Sequence, residues 1–330
     1  MKLASTTAQA AGLRVAFVAG PDSVTGWYYI KALEASGASV VAQVNRGGRL
    51  LPGVPRFSSP HFLLLGKIAF DTVVIVDAAD ALSIVQLAQE NNKHVIVHRP
   101  FTYDGRLADQ CYDTAQEREL ALRVGLPRRR VVGGPLGTEL GALGAGATSI
   151  TARGVITVGD GQRPPSWEDS LLGLAAEERL ARALRLVKRG GTATLHMPRP
   201  RAGIEPSLTI AIKDGPRLRI EIERGSEPAC EDLSVAGPNA KVDLLLPRSL
   251  TGHMPSTRPS AKQRLAAAQR PEHLTIADCY EAFVSSALQA IADPEGKELT
   301  VLEDRRLLAA LDAIKWALMN NLSQVDFQLP

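Results

Sequence analysis

The sequence predicts an α/β half built on a parallel sheet, followed by an α+β half with antiparallel strands. Three observations predict it. Between Leu13 and Val124, short apolar runs without alternation recur between segments of helical spacing, the pattern of a parallel sheet covered on both faces. After Arg130 a glycine-rich passage, Gly133 to Gly146, leads into β-rich segments with partial alternation, as in a sheet with one solvated face. At 330 residues, 45% hydrophobic and 22% charged, the chain is long enough for two ordinary cores. The expected domains are 1–130 and 131–330, with the last helices able to pack back on the first.

Leu13 to Ala19 reads as the first strand, ended by Gly20-Pro21-Asp22-Ser23. Gly26 to Leu33 has helical spacing, with Tyr29, Ile30 and Leu33 on one side, and Ser36-Gly37 stops it. Ala38 to Val44 is a second buried run, which completes a βαβ unit of Rossmann type. Asp71 to Val76 and His94 to Val97 are further strands, with helices at Ala81 to Glu90 and Gly105 to Glu119 and a strand at Leu120 to Val124. Beyond the glycine-rich passage, Thr148 to Val158 is a strand and Ser170 to Lys188 a helix. Thr192 to Met197, Ser207 to Ile212 and Leu218 to Glu223 are antiparallel strands turning at Lys213-Asp214-Gly215-Pro216. Pro247 to Pro271 reads as an exposed loop, and helices at Ile276 to Ile291 and Leu302 to Leu322 end the chain. Trp316 joins Leu308, Leu311, Ile314, Leu318 and Leu322 in a stripe at helical spacing, a packing surface.

Composition excludes several classes. Thirty-eight basic against 35 acidic residues give a net charge of +3, too balanced for a nucleic-acid partner. Cys111, Cys230 and Cys279 have no paired spacing, which excludes a disulfide framework and suggests a reducing compartment. The first twelve residues lack a signal's apolar region, and no run approaches the ~18 apolar residues of a membrane span. The expectation is a cytoplasmic protein without a membrane partner. None of the six histidines pairs at metal-ligand spacing, so no metal is expected.

The first turn occupies the place of a dinucleotide fingerprint. Glycines there serve the tight turn, the approach of backbone to pyrophosphate, and helix packing. Gly20 and Gly26 are present, with Ser23 as the middle small residue and a spacing one longer than G-x-G-x-x-G. After the second strand, Asn45-Arg46-Gly47-Gly48-Arg49 replaces the acidic residue that would hold a ribose 2′-hydroxyl. Arginine attracts a 2′-phosphate, so NADP(H) is favoured over NAD(H); a solvated basic loop is the alternative. Asp77 and Asp80 follow the third strand, where either could line the ligand crevice or cap the next helix. His98 and Arg99 leave the fourth strand at the sheet's carboxyl edge, followed by Pro100. His98 there suits a general acid working near neutral pH.

These segments resemble the glucose–fructose oxidoreductase / inositol dehydrogenase (Gfo/Idh/MocA) family. Gly26-Trp27-Tyr28-Tyr29-Ile30-Lys31-Ala32-Leu33 looks like the helix after its last fingerprint glycine, and Gly53-Val54-Pro55-Arg56-Phe57 like its Gly-Val-Pro-x-aromatic segment. Lys93-His94-Val95-Ile96-Val97-His98-Arg99-Pro100 is similar to its Lys-His-Val-x-x-Glu-Lys-Pro, and Val124-Gly125-Leu126-Pro127-Arg128-Arg129 to its Val-Gly-Phe-x-Arg-Arg. Tyr280-Glu281-Ala282-Phe283 fits its terminal helices. The resemblance implies a Rossmann domain joined to an α+β domain with a large, mostly antiparallel sheet. It further implies a homodimer or other homo-oligomer through that sheet, and a nicotinamide cofactor bound near Pro100.

The departures fall on the chemistry. His98 and Arg99 stand where the family has glutamate and lysine, and arginine does not give up its proton. Asp77-Ala78-Ala79-Asp80-Ala81 keeps none of the family's Pro-Asn-x-x-His turn. The second-domain Asp-x-Gly-x-His-x-x-Asp helix aligns with Leu171 to Glu178 through Gly173, which puts Ala175 in place of the catalytic histidine. A branch of the family that reduces siderophore thiazolinyl imines carries Glu-His-Pro at the strand end. Reduction needs a hydride and a proton donor but no base. The sequence therefore suggests an NAD(P)(H)-dependent reductase of a small C=N or C=O substrate in a biosynthetic pathway, with His98 and Arg99 at the reacting centre. The alternative is the same fold serving as a binding or regulatory module or in a non-redox reaction.

Overall fold

The computed structural model describes residues 12–20, 24–45, 51–98, 100–125, 146–157, 174–187, 190–197, 207–225, 231–239, 241–246, 276–292 and 297–330. Five strands form the first sheet: β1 (Arg14–Ala19), β2 (Ser39–Asn45), β3 (Thr72–Val76), β4 (His94–His98) and β5 (Leu122–Gly125). All pairs are parallel, in the order β2-β1-β3-β4-β5. A single parallel bridge from Gln43 to Arg56 extends the sheet beyond β2, a vestigial third strand in the Rossmann strand order. Gln43 builds that extension alone. It is buried, its amide nitrogen donates to the carbonyls of Leu51 and Val54 at 3.0 Å each, and its amide oxygen accepts from Leu51 N at 3.2 Å.

The strands lack alternation because both faces are covered. Val15, Phe17, Val74, Val76 and Ile96 point to one face, under α1 (Val24–Ala35) and α6 (Ile276–Ala292). Ala16, Val18, Val73, Ile75, Val95 and Val97 point to the other. There they meet α2 (Pro60–Leu64), α3 (Ala81–Glu90) and α4 (Gly105–Glu117). Side chains set the helix starts: Ser59 Oγ accepts from Phe62 N, and Asp104 Oδ1 from Leu107 N at 3.1 Å, each satisfying an N–H that the helix itself leaves open. Asp80 holds the N-cap position of α3 without a side-chain capping bond.

The second sheet has seven strands in the order β11-β10-β6-β9-β8-β7-β12. These are β6 (Ser149–Thr157), β7 (Gly191–His196), β8 (Ser207–Ile212), β9 (Arg217–Gly225), β10 (Glu231–Ala236), β11 (Lys241–Leu246) and β12 (Gln324–Leu329). Only β6 and β9 pair in parallel. The fold class is thus the predicted one: a parallel Rossmann-like sheet followed by a large, mostly antiparallel sheet. Ile150, Leu195, Ile210, Leu218, Ile220 and Val235 turn inward onto α5 (Leu174–Arg185) and α7 (Lys297–Met319). The opposite face carries Thr151, Arg153, Thr194, Thr209 and Arg219. Arg219 pairs there with Glu221 at 2.8 Å, and Thr194 Oγ1 donates to Asp326 at 2.6 Å.

Sequence reading missed α2 and the strands β10, β11 and β12. It also carried the last helix to Leu322, whereas α7 stops at Met319 and the chain turns at Asn321, with φ of 53°, a conformation asparagine tolerates. In the predicted stripe, Leu308, Leu311 and Ile314 are buried, but Trp316 is half exposed. The predicted loop Pro247 to Pro271 lies outside the described residues.

Helix α7 belongs to both cores. Leu308 packs in the first, and Leu307, Leu311 and Ile314 in the second. Asp304, fully buried on the same helix, accepts from Val124 N of β5 at 3.1 Å. Strand β5 ends its sheet, so this carboxylate satisfies a donor that an edge strand would otherwise offer to solvent or to another chain. Asp304→Ala strands that buried donor and is expected to cost about 1–3 kcal/mol. Asp304→Asn, which keeps an acceptor oxygen, is expected to cost less. Urea unfolding of the three proteins checks the order.

Candidate functional site

The strand order reverses between β1 and β3, and the crevice at such a switch point, outside the carboxyl ends of the strands, is where open α/β sheets bind ligands. Gly20 follows β1 there and donates its N–H to Val76 O at 2.9 Å. A Cβ on Gly20 would stand 2.2 Å from Asp77 O. Only glycine lets β1 leave the sheet this close to the end of β3. Asp77 in turn adopts a φ of 52°, a left-handed turn that aspartate accepts more readily than most residues. Helix α1 begins within four residues of Gly20, and Gly26 is buried in its first turn. The glycines expected to cradle a pyrophosphate therefore sit at the switch point and on the helix that follows it.

Asn45 ends β2 opposite Ala19; its backbone is described and its side chain is not. Pro100 lies just past β4 and is partly buried. Gly20, Gly26, Asp77, His98, Pro100 and the backbone of Asn45 thus gather around one edge of the first sheet. Ser23, Arg46 and Arg99, also expected at the site, lie outside the described residues.

Strand parity decides where His98 goes. Val95 and Val97 face α3 and α4, so Ile96 and His98 face α1 and α6. The imidazole is only 6% exposed, with Nδ1 3.1 Å from the hydroxyl of Tyr29 on α1. Tyr29 meets it edge-on with ring centroids 5.4 Å apart, and Tyr280 of α6 lies beside it, tilted by 28° with centroids 6.4 Å apart. Tyr280 also stacks on Tyr28 at 5.2 Å. Gly125, opposite His98 on β5, completes the enclosure: a Cβ there would stand 2.2 Å from the Tyr29 hydroxyl and 2.8 Å from Phe283 Cε1. Sequence reasoning placed Tyr29 in the helix core and did not connect it with His98. A partner 69 positions away leaves no local signal. The glycine at the end of β5 was the one visible hint that something large fills the space beside it.

Among the described residues, no group of three histidine, cysteine or acidic side chains could hold a metal ion. No helix there is long and apolar enough to cross a membrane. Cys111 is buried in α4, and burial raises its thiol to about 11, which keeps it protonated and unreactive at neutral pH.

By sequence, no protein-family model and no curated protein matches this chain. By structure the matches are extensive. A levoglucosan dehydrogenase in complex with NADH and L-sorbose superposes with a TM-score of 0.70 at 14% identity, covering 96% of this chain and 99% of that one. The UDP-N-acetylglucosamine 3-dehydrogenase GnnA of Acidithiobacillus ferrooxidans gives 0.65 at 15% identity, covering 92% and 98%. The apo scyllo-inositol dehydrogenase of Lactobacillus casei gives 0.68 at 13% identity, covering 97% and 99%. These neighbours are dehydrogenases of the Gfo/Idh/MocA type. The chain has the Gfo/Idh/MocA fold. At 13–15% identity the likeness carries architecture and leaves chemistry to the residues.

Gly20→Ala forces apart the ends of β1 and β3 and is expected to destabilise the fold by about 1–3 kcal/mol. Thermal unfolding checks it, and a control Gly53→Ala probes a glycine with a φ of 77° and nothing within 4 Å of its added Cβ. That control acts through backbone strain alone, so its cost should be the smaller, about 1 kcal/mol.

Proposed function

We propose that the protein is an oxidoreductase that binds a nicotinamide dinucleotide and reduces a small C=N or C=O substrate in a biosynthetic pathway, in the cytoplasm. The observation that carries this reading is the approach of Gly20 to Asp77 at the switch point, directly before α1. It puts a glycine, packed against the end of β3, just ahead of a helix N-terminus, the place where a pyrophosphate lies in folds of this kind. The residues present fit such a group. Gly20, Ser23 and Gly26 would face the pyrophosphate, and Asn45 with Arg46 the adenosine ribose and a 2′-phosphate, which favours NADP(H) over NAD(H). The carboxylate of Asp77 suits ribose hydroxyls as an acceptor, and Pro100 would border the nicotinamide. When bound, the dinucleotide supplies the hydride.

The chain's own residues have the remaining tasks. Arg99 remains protonated at any working pH and would hold a polar or anionic substrate group. His98 is the candidate proton donor to the substrate nitrogen or oxygen. Tyr29 engages Nδ1, so delivery would fall to Nε2. Arg99 stands where the family has lysine and gives up no proton, so proton transfer in either direction would fall to His98. The enclosure of His98, 6% exposed, supports a second reading, in which the fold persists as a binding or regulatory module.

Calorimetric titration separates the two. NADPH is expected to bind, with NADH at least about tenfold weaker for want of the arginine–phosphate contact. Absence of binding by either at millimolar concentration rejects the reductase and leaves the module. The solvated face of the second sheet, with Arg219 and Glu221 on its central strand β9, is the proposed surface for a homodimer. Light scattering is expected to give at least twice the chain mass, and Arg219→Glu to shift it toward the monomer.

A further inference from the structure

We infer that Tyr29 is a positioning residue for His98: its hydroxyl donates to Nδ1 and so fixes the imidazole in the tautomer that carries its proton on Nε2. The role this gives His98 rests on the proposed reductase reading; the tautomer itself does not.

Three observations converge on the hydroxyl. It lies 3.1 Å from Nδ1 in a wholly buried position, Tyr29 being 0% and His98 6% exposed. The volume it occupies exists because residue 125 is glycine, since a Cβ there would meet the oxygen at 2.2 Å. The ring that carries it is held from several sides. Tyr280 meets Tyr29 edge-on at 5.2 Å, Phe283 does so at 6.2 Å, and His98 at 5.4 Å. Neither ring is placed to rotate away from the other without emptying a packed cluster.

The choice of donor follows from the chemistry of the two groups. A phenol is a better hydrogen-bond donor than acceptor, and the unprotonated nitrogen of a neutral imidazole is a good acceptor. In a neutral imidazole the bond made by one nitrogen determines which nitrogen bears the proton. Acceptance at Nδ1 leaves the proton on Nε2, which in this neutral form donates a hydrogen bond toward a substrate nitrogen or oxygen; transfer of a proton takes the imidazolium, whose Nδ1–H then points to the Tyr29 hydroxyl. Tyr280 of α6 borders the imidazole, with centroids 6.4 Å apart and ring planes 28° apart. Tyr29 sits on α1, the helix that would face the pyrophosphate, and it thereby couples the cofactor helix to the strand end that releases Arg99.

Nitrogen-15 correlation spectra of the histidine rings, recorded on the full chain near neutral pH without any added dinucleotide, test this directly. The His98 signals are assigned by their loss in His98→Gln. In the wild type, Nδ1 is expected at the shift of a hydrogen-bonded acceptor, with the proton on Nε2. In Tyr29→Phe, which removes only the oxygen, the Nδ1 shift is expected to lose its hydrogen-bonded character and the tautomer ratio to fall about fivefold. Ser36→Ala removes a polar contact between the end of α1 and α6, the 3.1 Å hydrogen bond between Ser36 Oγ and Ser285 Oγ. It is expected to lower stability without moving the His98 spectrum. A proton on Nδ1 in the wild type, an unchanged spectrum in Tyr29→Phe, or an equal change in Ser36→Ala overturns the inference. Because no cofactor enters the measurement, failure of NADPH to bind counts against the reductase and leaves this result as it stands.

Discussion

One helix holds the molecule together, and one buried carboxylate sets where it sits. α7 puts Leu308 into the core of the parallel sheet and Leu307, Leu311 and Ile314 into the core of the antiparallel one. Hydrophobic contact alone would let such a helix slide, because apolar burial has no direction. The bond from Val124 N to Asp304 does have direction. It fixes the helix lengthwise against β5 while closing the open edge of the first sheet. Arg306 fastens the far side, with its guanidinium donating to the carbonyls of Val187 and Pro330. Burial lowers the pKa of that guanidinium, while Glu303 opposes the shift. The relative placement of the two sheets therefore rests on a few polar contacts from one turn of helix, inside two cores that supply the free energy.

The first half of the fold was legible because its signals are local. Buried strands such as Thr-Val-Val-Ile-Val at 72–76 and His-Val-Ile-Val-His at 94–98 announce themselves by composition. The second half was harder for a physical reason. Strands such as Gln-Val-Asp-Phe-Gln-Leu at 324–329 contribute only alternate residues to a core, so their apolar content is low. Such a strand is stabilised by its partners, β7 in this case, and those partners are invisible in sequence. Asn320-Asn321 was a readable stop for α7, and it was overridden by the apolar spacing that continues to Leu322.

The candidate site divides along the same line. The crevice was readable, since glycine after the first strand and an acidic residue after the third are placed by position in a βαβ pattern. The surroundings of His98 were not. Period-two geometry puts His98 on the face of Ile96 rather than that of Val97, and this much follows from counting. What covers that face comes from Tyr29 far upstream and Tyr280 far downstream. A histidine at a strand end reads as exposed until those two rings are brought over it.

That enclosure changes what the departures from the family pattern mean. If His98 and Arg99 had simply drifted in an abandoned site, nothing would require a compensating set of neighbours. Instead the imidazole has Tyr29 as hydrogen-bond partner at Nδ1, Tyr280 nearby on α6, and a glycine opposite that makes room for the Tyr29 hydroxyl. Several side chains from α1, β4, β5 and α6 must be mutually adjusted to produce this, and each would be free to vary in a site under no constraint. A buried histidine costs desolvation whenever it is charged, so a core without function gains more from leucine at that position. Tyr29, Tyr280 and Gly125 thus place a polar, oriented imidazole at the ligand edge of the sheet, with Nδ1 engaged by a hydroxyl.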